Sequence, residues 1–320
     1  MRRRHFSLSL IASGCVATVL AVTGCDSSSG ANGSGDSGGS GSESVPSAAA
    51  APELTSTTDQ SLPVEAYMYT KDRSDRLSSA RMTLRTQCMR RFGFTYEGPK
   101  AEELFQPKSV AQFRYGVTDA GDAAVHGYKP AGSERKAAQP SPVPLAPAAN
   151  TALTGTTDTS IKPGSAEAKG GQDINGQKVP AGGCIGEADR KLGAASGQDF
   201  GDAPSVVKVN SDSWAKSYND KRVRAVFTEW SACMKGKGYA YADPMKANDD
   251  PQWQQSATAT QRERQVAAAD VACKHQHNVL GVWYSVDVAY QKQVIEQNAE
   301  TLTEVKKQID KRLKLAADLA

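Results

Sequence analysis

The sequence predicts a mainly α-helical domain that is stapled by disulfide bonds. Three observations predict it: a Cys-Met-x-x-x-Gly-aromatic segment that occurs twice, apolar residues at helical spacing before both copies, and a stretch without proline or glycine over residues 282–320. Apolar residues that recur every three or four positions mark one face of an amphipathic helix. Few segments alternate with a period of two, so we expect few strands.

The chain opens with the three parts of an export signal. A basic start, Arg2-Arg3-Arg4, precedes the mostly apolar residues 6–22, and Val22-Thr23-Gly24 lead into Cys25. This pattern resembles the lipobox of bacterial lipoprotein precursors. The resemblance implies removal of residues 1–24, a diacylglyceryl group on Cys25 and attachment to the extracytoplasmic face of the cell membrane. Two acyl chains supply stable anchoring, whereas one gives only marginal binding.

The predicted signal also accounts for the basic character of the chain. The full sequence has 38 Lys and Arg against 35 Asp and Glu. Removing the three arginines of the signal removes no acid and leaves 35 against 35. A balanced chain outside the cytoplasm disfavours a nucleic-acid partner.

Residues 25–58 have the composition of a flexible stalk. Of the 17 residues from Asp26 to Ser42, 13 are Gly or Ser. Such a chain buries too little apolar surface to offset the entropy lost on ordering. A coil of this length has a root-mean-square span of roughly 30 Å. We expect it to lift the folded part off the membrane.

Residues 116–180 are predicted to be a disordered insert. They contain seven prolines, and Tyr128 is their only aromatic residue. Asn175-Gly176 is typical of a tight hairpin turn, placed where order is expected to resume. The folded domain is therefore predicted in two parts, residues 59–115 and residues 181–320.

The repeated segment is predicted to end a helix in both copies. Before the first copy, Leu77, Ala80 and Leu84 continue a helical stripe that reaches Cys88. Glycine adopts the left-handed conformation that commonly stops a helix. The copies share six positions at a constant offset of 145: Cys88 and Cys233, Met89 and Met234, Gly93 and Gly238, Phe94 and Tyr239, Tyr96 and Tyr241, and Pro99 and Pro244.

Four cysteines remain for the folded domain in an oxidising compartment. Four cysteines allow three pairings. We favour Cys88–Cys184, across the insert, and Cys233–Cys273, within the second part. Cys273 and His277 are four residues apart and could share a metal, but a disulfide would consume the thiolate. No metal site, cofactor or catalytic residue is therefore predicted.

The C-terminal stretch is predicted to be one long helix with a narrow seam. The seam could pack within the chain, against the helix near Leu77 or Trp214, or it could contact a partner such as an envelope protein. Its positions are three or four residues apart: Ile295, Asn298, Leu302, Val305, Ile309, Arg312, Ala316 and Leu319.

The stretch from Lys71 to Arg91 carries seven basic residues against Asp72 and Asp75. A local excess of this kind could meet anionic wall polymers or phospholipid heads. The arginines are spread around the predicted helix instead of forming one stripe, so we expect a solvated face.

The body resembles a set of uncharacterised lipoproteins and secreted proteins of actinomycetes. The resemblance rests on Val179–Cys184, on the two Cys-Met-x-x-x-Gly-aromatic copies and on Ala269–Cys273. It implies location and fold, and it brings no catalytic residue. We expect a non-enzymatic binding or accessory component of the cell envelope or of a membrane complex. A solute-binding protein or an enzyme with an unrecognised site is the alternative.

Overall fold

The computed structural model describes residues 45–98, 107–131, 144–195 and 200–319. These described residues form one compact unit. The predicted signal peptide, Cys25 and the Gly/Ser-rich stretch lie outside the described residues. Within the described ranges, no helix is both long and apolar enough to cross a membrane.

The described residues are mainly helical, which confirms the predicted fold class. Two short 3-10 helices (Pro63–Tyr67 and Pro251–Gln255) and one hairpin of strands β1 (Asp173–Ile174) and β2 (Gln177–Lys178) accompany the α-helices. The α-helices of the described ranges are α1 (Lys71–Arg91), α2 (Ala111–Arg114), α3 (Ala120–His126), α4 (Pro147–Thr154), α5 (Gly183–Lys191), α6 (Pro204–Asn219), α7 (Lys221–Gly236), α8 (Pro244–Asn248), α9 (Gln261–Gln276), α10 (Val279–Gln297) and α11 (Ala299–Ala317).

Side-chain caps fix where several helices begin. The Asp220 carboxylate accepts the backbone N–H of Arg222 at 2.9 Å and separates α6 from α7. The Thr260 hydroxyl accepts the N–H of Glu263 at 3.1 Å and starts α9. Such caps satisfy N–H groups that have no partner within the helix.

The largest core cluster lies in the second half of the chain, where all four tryptophans are located. Trp230 and Trp283 are fully buried at its centre. Phe227 meets Trp283 edge to face, with their ring centroids 4.9 Å apart. Aromatic rings of this size dominate the energetics of burial. Tyr115, from the first half, completes the cluster and joins the two halves.

The predicted disordered insert is wrong for residues 116–131 and 144–180. The first range contains α3, which packs on α9. The second contains α4 and the hairpin, whose turn is the predicted Asn175-Gly176 with positive φ at both residues. Backbone packing replaces the missing apolar side chains. A side chain at Gly155 or Gly183 would overlap the backbone of the other segment, and Gly170 donates to the Gly155 carbonyl at 3.0 Å.

The predicted stalk is wrong from residue 45 onward. Residues 45–61, called the strap below, lie against the second half of the chain. Arg222 donates to the Pro46 carbonyl, and Tyr284 donates to the Ser61 carbonyl at 2.8 Å. Leu54 packs on the aromatic core, and Thr57 is fully buried. Spaced backbone hydrogen bonds order this segment although its composition is rich in alanine and threonine.

The C-terminal stretch forms two helices instead of one, because the helix ends and restarts at Asn298. Its seam faces the body from Leu302 onward, whereas Asn298 is exposed. Leu302, Ile309 and Ala316 are buried, and α11 packs on α1 and on the first 3-10 helix. The structure thus shows the intramolecular packing against the helix that carries Leu77.

Candidate functional site

Both copies of the repeat carry a disulfide. The structure joins Cys88 to Cys184 and Cys233 to Cys273, which is the pairing favoured from the sequence. Each bridge ties the end of a long helix, α1 or α7, to a second helix, α5 or α9. Three of these four cysteines are no more than 2% exposed, so the bridges belong to the core. We therefore assign them a structural role.

The two copies also repeat each other in their hydrogen bonds. Phe94 donates its N–H to the Met89 carbonyl at 3.1 Å, and Tyr239 donates to Met234 at 3.0 Å. Gly93 and Gly238, which precede these donors, both have positive φ. This geometry satisfies carbonyls that are left open at a helix end. Each copy also has a hydrogen bond from a hydroxyl in the last turns of its helix to the backbone carbonyl of the tyrosine that the copies share. Thr86 donates to Tyr96, and Ser231 donates to Tyr241.

A buried ion pair lies beside the second disulfide. The Lys274 ammonium and the Asp270 carboxylate are 3.1 Å apart, and both side chains have no exposed surface. Lys274 also donates to the Val117 carbonyl at 2.7 Å, and the Trp230 indole donates to Asp270 at 2.9 Å. Burial raises the pKa of Asp270 and lowers that of Lys274, and the pairing opposes both shifts. Both charged groups have hydrogen-bond partners, so the pair holds α9 against residues 115–117.

A second buried polar group fixes α2 against α6 and α10. Arg114 donates to both carboxylate oxygens of Asp287 and to the side chain of Asn210 at 2.7 Å. The Tyr115 hydroxyl donates to Asp287 at 3.0 Å. Burial and the adjacent Asp287 carboxylate raise the pKa of Tyr115 well above its ordinary value. This hydroxyl therefore stays protonated and serves as a hydrogen-bond donor.

Sequence reasoning did not find these buried charges. Asp270 and Lys274 are four residues apart in a helix of alanine and valine, a spacing that places both on one face. This spacing could have predicted the ion pair in α9. Arg114 and Asp287 are 173 positions apart, and no local pattern joins them.

The solvated face expected for the basic residues of α1 is wrong for some of them. Arg81 lies 3.1 Å from Asp189, and Arg85 approaches the same carboxylate, with both arginine side chains less than a fifth exposed. Arg91 pairs with Glu187. These contacts tie α1 to α5 and neutralise much of the local excess.

The residues considered for a metal site make separate contacts. Cys273 is in a disulfide, and the His275 ring lies 2.6 Å from the Thr55 carbonyl of the strap. His277 lies 3.3 Å from the Glu229 carboxylate. Within the described residues, no group of three His, Cys, Asp or Glu side chains is arranged to hold a metal ion.

Among the described residues, two surface cavities are considered as candidate binding sites. The larger, about 410 Å³, lies between the first 3-10 helix and α10, and its walls include Leu62, Tyr284 and Val288. The charged residues at its edge already have hydrogen-bond partners within the chain. Glu65 accepts from Ser109 at 2.7 Å, and Arg73 donates to the Met68 carbonyl at 2.6 Å.

The smaller cavity, about 240 Å³, lies where the end of α3 meets the start of α9. Three of its six lining residues are basic: His126, Lys129 and Arg264. Lys129 pairs with Glu263 at 2.8 Å, and that carboxylate has no exposed surface. The surface that this cavity offers to solvent is therefore cationic.

Comparison of the chain with protein-family models, with curated proteins and with solved structures finds no match.

Proposed function

We propose that the protein is an extracytoplasmic lipoprotein, held at the cell membrane by a diacylglyceryl group on Cys25. The observation that carries the proposal is the pair of disulfides, Cys88–Cys184 and Cys233–Cys273, in a chain that opens with a lipobox-like signal. Disulfides persist in oxidising compartments outside the cytoplasm. A signal for export and bridges that need an oxidising environment support the same location.

Metabolic labelling with radioactive palmitate tests the anchor. The wild-type chain is expected to carry label and to sediment with membranes, whereas Cys25→Ala is expected to lose the label. Cys15→Ala is the matched control, because Cys15 lies inside the predicted signal and would be discarded. Labelling of Cys25→Ala, or no labelling of the wild type, would contradict the proposal.

The folded body serves as a non-enzymatic binding or accessory component of the envelope. Its buried ionisable groups support this role, because Asp270, Lys274 and Asp287 each hold two segments of the chain together. Leu302 and Ile309 are covered by the body, so a protein partner at α11 would meet the charged outer face of that helix.

The two surface cavities are the observation that favours the alternative, a solute-binding protein or an enzyme with an unrecognised site. Cross-linked membranes provide the discriminating experiment. Capture of a specific membrane protein on the wild-type chain, lost when the exposed Lys307 and Lys311 are changed to Glu, supports an accessory role. A rise in melting temperature with one small solute and no captured protein favours the alternative.

A further inference from the structure

The cavity between α3 and α9 has donors that the fold does not use. Arg264 donates through Nη1 to the Ala259 carbonyl at 2.6 Å. Among the described residues, its Nε and Nη2 atoms and the His126 ring have no hydrogen-bond partner. The bond to Ala259 holds the guanidinium in place beside the cavity. A guanidinium that is oriented in advance loses little conformational entropy when it binds a ligand.

The charge around the cavity is positive on the side that faces solvent. The six lining residues include no acid. Lys129 is held by three acceptors, both oxygens of Glu263 and the Trp253 carbonyl, so this pair is neutral and its donors are occupied. Asp122, one turn before His126 on α3, is exposed and outside the lining. Arg264 and His126 therefore set the character of the open surface.

The backbone adds to this field. Thr258 and Ala259 line the cavity and immediately precede Thr260, which caps the 16-residue helix α9. The first turn of a helix carries a partial positive charge. Next to these groups Val125 is 62% exposed, which gives the rim an apolar side chain.

We infer that this cavity binds a phosphate group, through the free donors of Arg264 and the His126 ring. A guanidinium matches the oxygens of a phosphate with paired N–H donors. The phosphate group could be free inorganic phosphate or part of a phospholipid headgroup. The exposed Val125 would contact the apolar part of the phospholipid. The inference concerns the folded body and stands whether or not Cys25 is lipidated.

Isothermal titration of the purified full chain with inorganic phosphate, at constant ionic strength set with sodium chloride, tests the site. Saturable binding by the wild-type chain is expected. Arg264→Ala is expected to weaken binding roughly tenfold or more, because the charge-assisted hydrogen-bond donors of the guanidinium are lost. His126→Gln should weaken it less. Arg262→Ala is the matched control, since Arg262 is exposed on the same helix and outside the lining.

A second arm separates the two sources of phosphate. Vesicles of phosphatidylglycerol are compared with vesicles of phosphatidylcholine. Binding of the former that Arg264→Ala abolishes assigns a lipid headgroup, and binding of inorganic phosphate alone assigns the free ion. Arg264→Lys keeps the charge and serves as the folded variant if Arg264→Ala unfolds. No saturable binding in either arm, or equal binding by wild type and both Arg264 variants, would overturn the inference.

Discussion

At Gly281 the backbone of the strap packs directly on α10. A Cβ atom there would overlap the carbonyl oxygen of Pro52 and crowd the side chain of Asn278. In an open helix the change from glycine to alanine is favourable by about 0.5–1 kcal/mol. At Gly281 the steric overlap outweighs that gain, because α10 and the strap are in backbone contact.

We therefore expect Gly281→Ala to destabilise the protein by about 1–3 kcal/mol, the usual cost of overpacking. Amide hydrogen exchange over residues 47–58 should speed up at the same time. Gly236→Ala is the control, because Gly236 is helical and has open space around its Cβ position. It should be neutral or mildly stabilising. Equal melting temperatures for the two variants would mean that the strap does not lie on Gly281.

Lys274 shows why a buried charge cannot lose its partner without cost. Lys274→Met would leave the Asp270 carboxylate buried beside an apolar chain, without its cationic partner. Removing one member of a buried pair typically costs about 3–5 kcal/mol. We expect a loss of that size in urea unfolding, with an unchanged m-value.

A double variant separates the charge from the packing. Asp270→Asn keeps an acceptor for Trp230 and removes the charge, so Lys274→Met with Asp270→Asn should be less destabilised than the sum of the two single changes. The exposed pair Lys306–Asp310 supplies the contrast. Lys306→Met should change stability by no more than about 0.5 kcal/mol. A similar loss at both lysines would argue against a special role of burial.

At the scale of elements, the seam of α11 distinguishes packing within the chain from contact with a partner. Ile309 is 2% exposed, and α11 rests on α1. Ile309→Ala is expected to cost about 2–5 kcal/mol, as other large-to-small core changes do. Lys307→Ala, on the exposed side of the same helix, should be nearly neutral. Thermal unfolding together with light scattering makes the measurement.

The oligomeric state decides how that result is interpreted. A less stable but monomeric Ile309→Ala supports packing within the chain. A variant of unchanged stability that dissociates from a larger assembly would show that the seam contacts another molecule instead.

The repeat could be predicted from the sequence because its signals are local or chemically distinctive. Gly93 and Gly238 stop their helices by a backbone conformation that glycine adopts freely, and the structure has positive φ at both. The stripe of Leu77, Ala80 and Leu84 marks the buried face of α1 in the same way. Caps were harder to place, since the break at Asp220 depends on one side chain.

At the scale of the whole molecule, composition was a poor guide to order. Residues 144–180 have few apolar side chains, yet Gly155 and Gly170 bring backbone segments into contact that larger residues would keep apart. A composition rule counts side chains and misses this form of burial. The candidate cavity was missed for a different reason. His126 and Arg264 are 138 positions apart, and only the packing of α3 on α9 brings them together.

The strap also sets the order in which the chain can finish folding. In the strap, Thr55 meets His275 and Ser61 meets Tyr284, across separations of 220 and 223 residues. The ribosome therefore makes the strap among the first segments of the body and makes its binding surface near the end. Contacts of such long range slow folding, because a large loop must close before they form. The first residues of the body to be synthesised must wait for almost the last before they reach their final place.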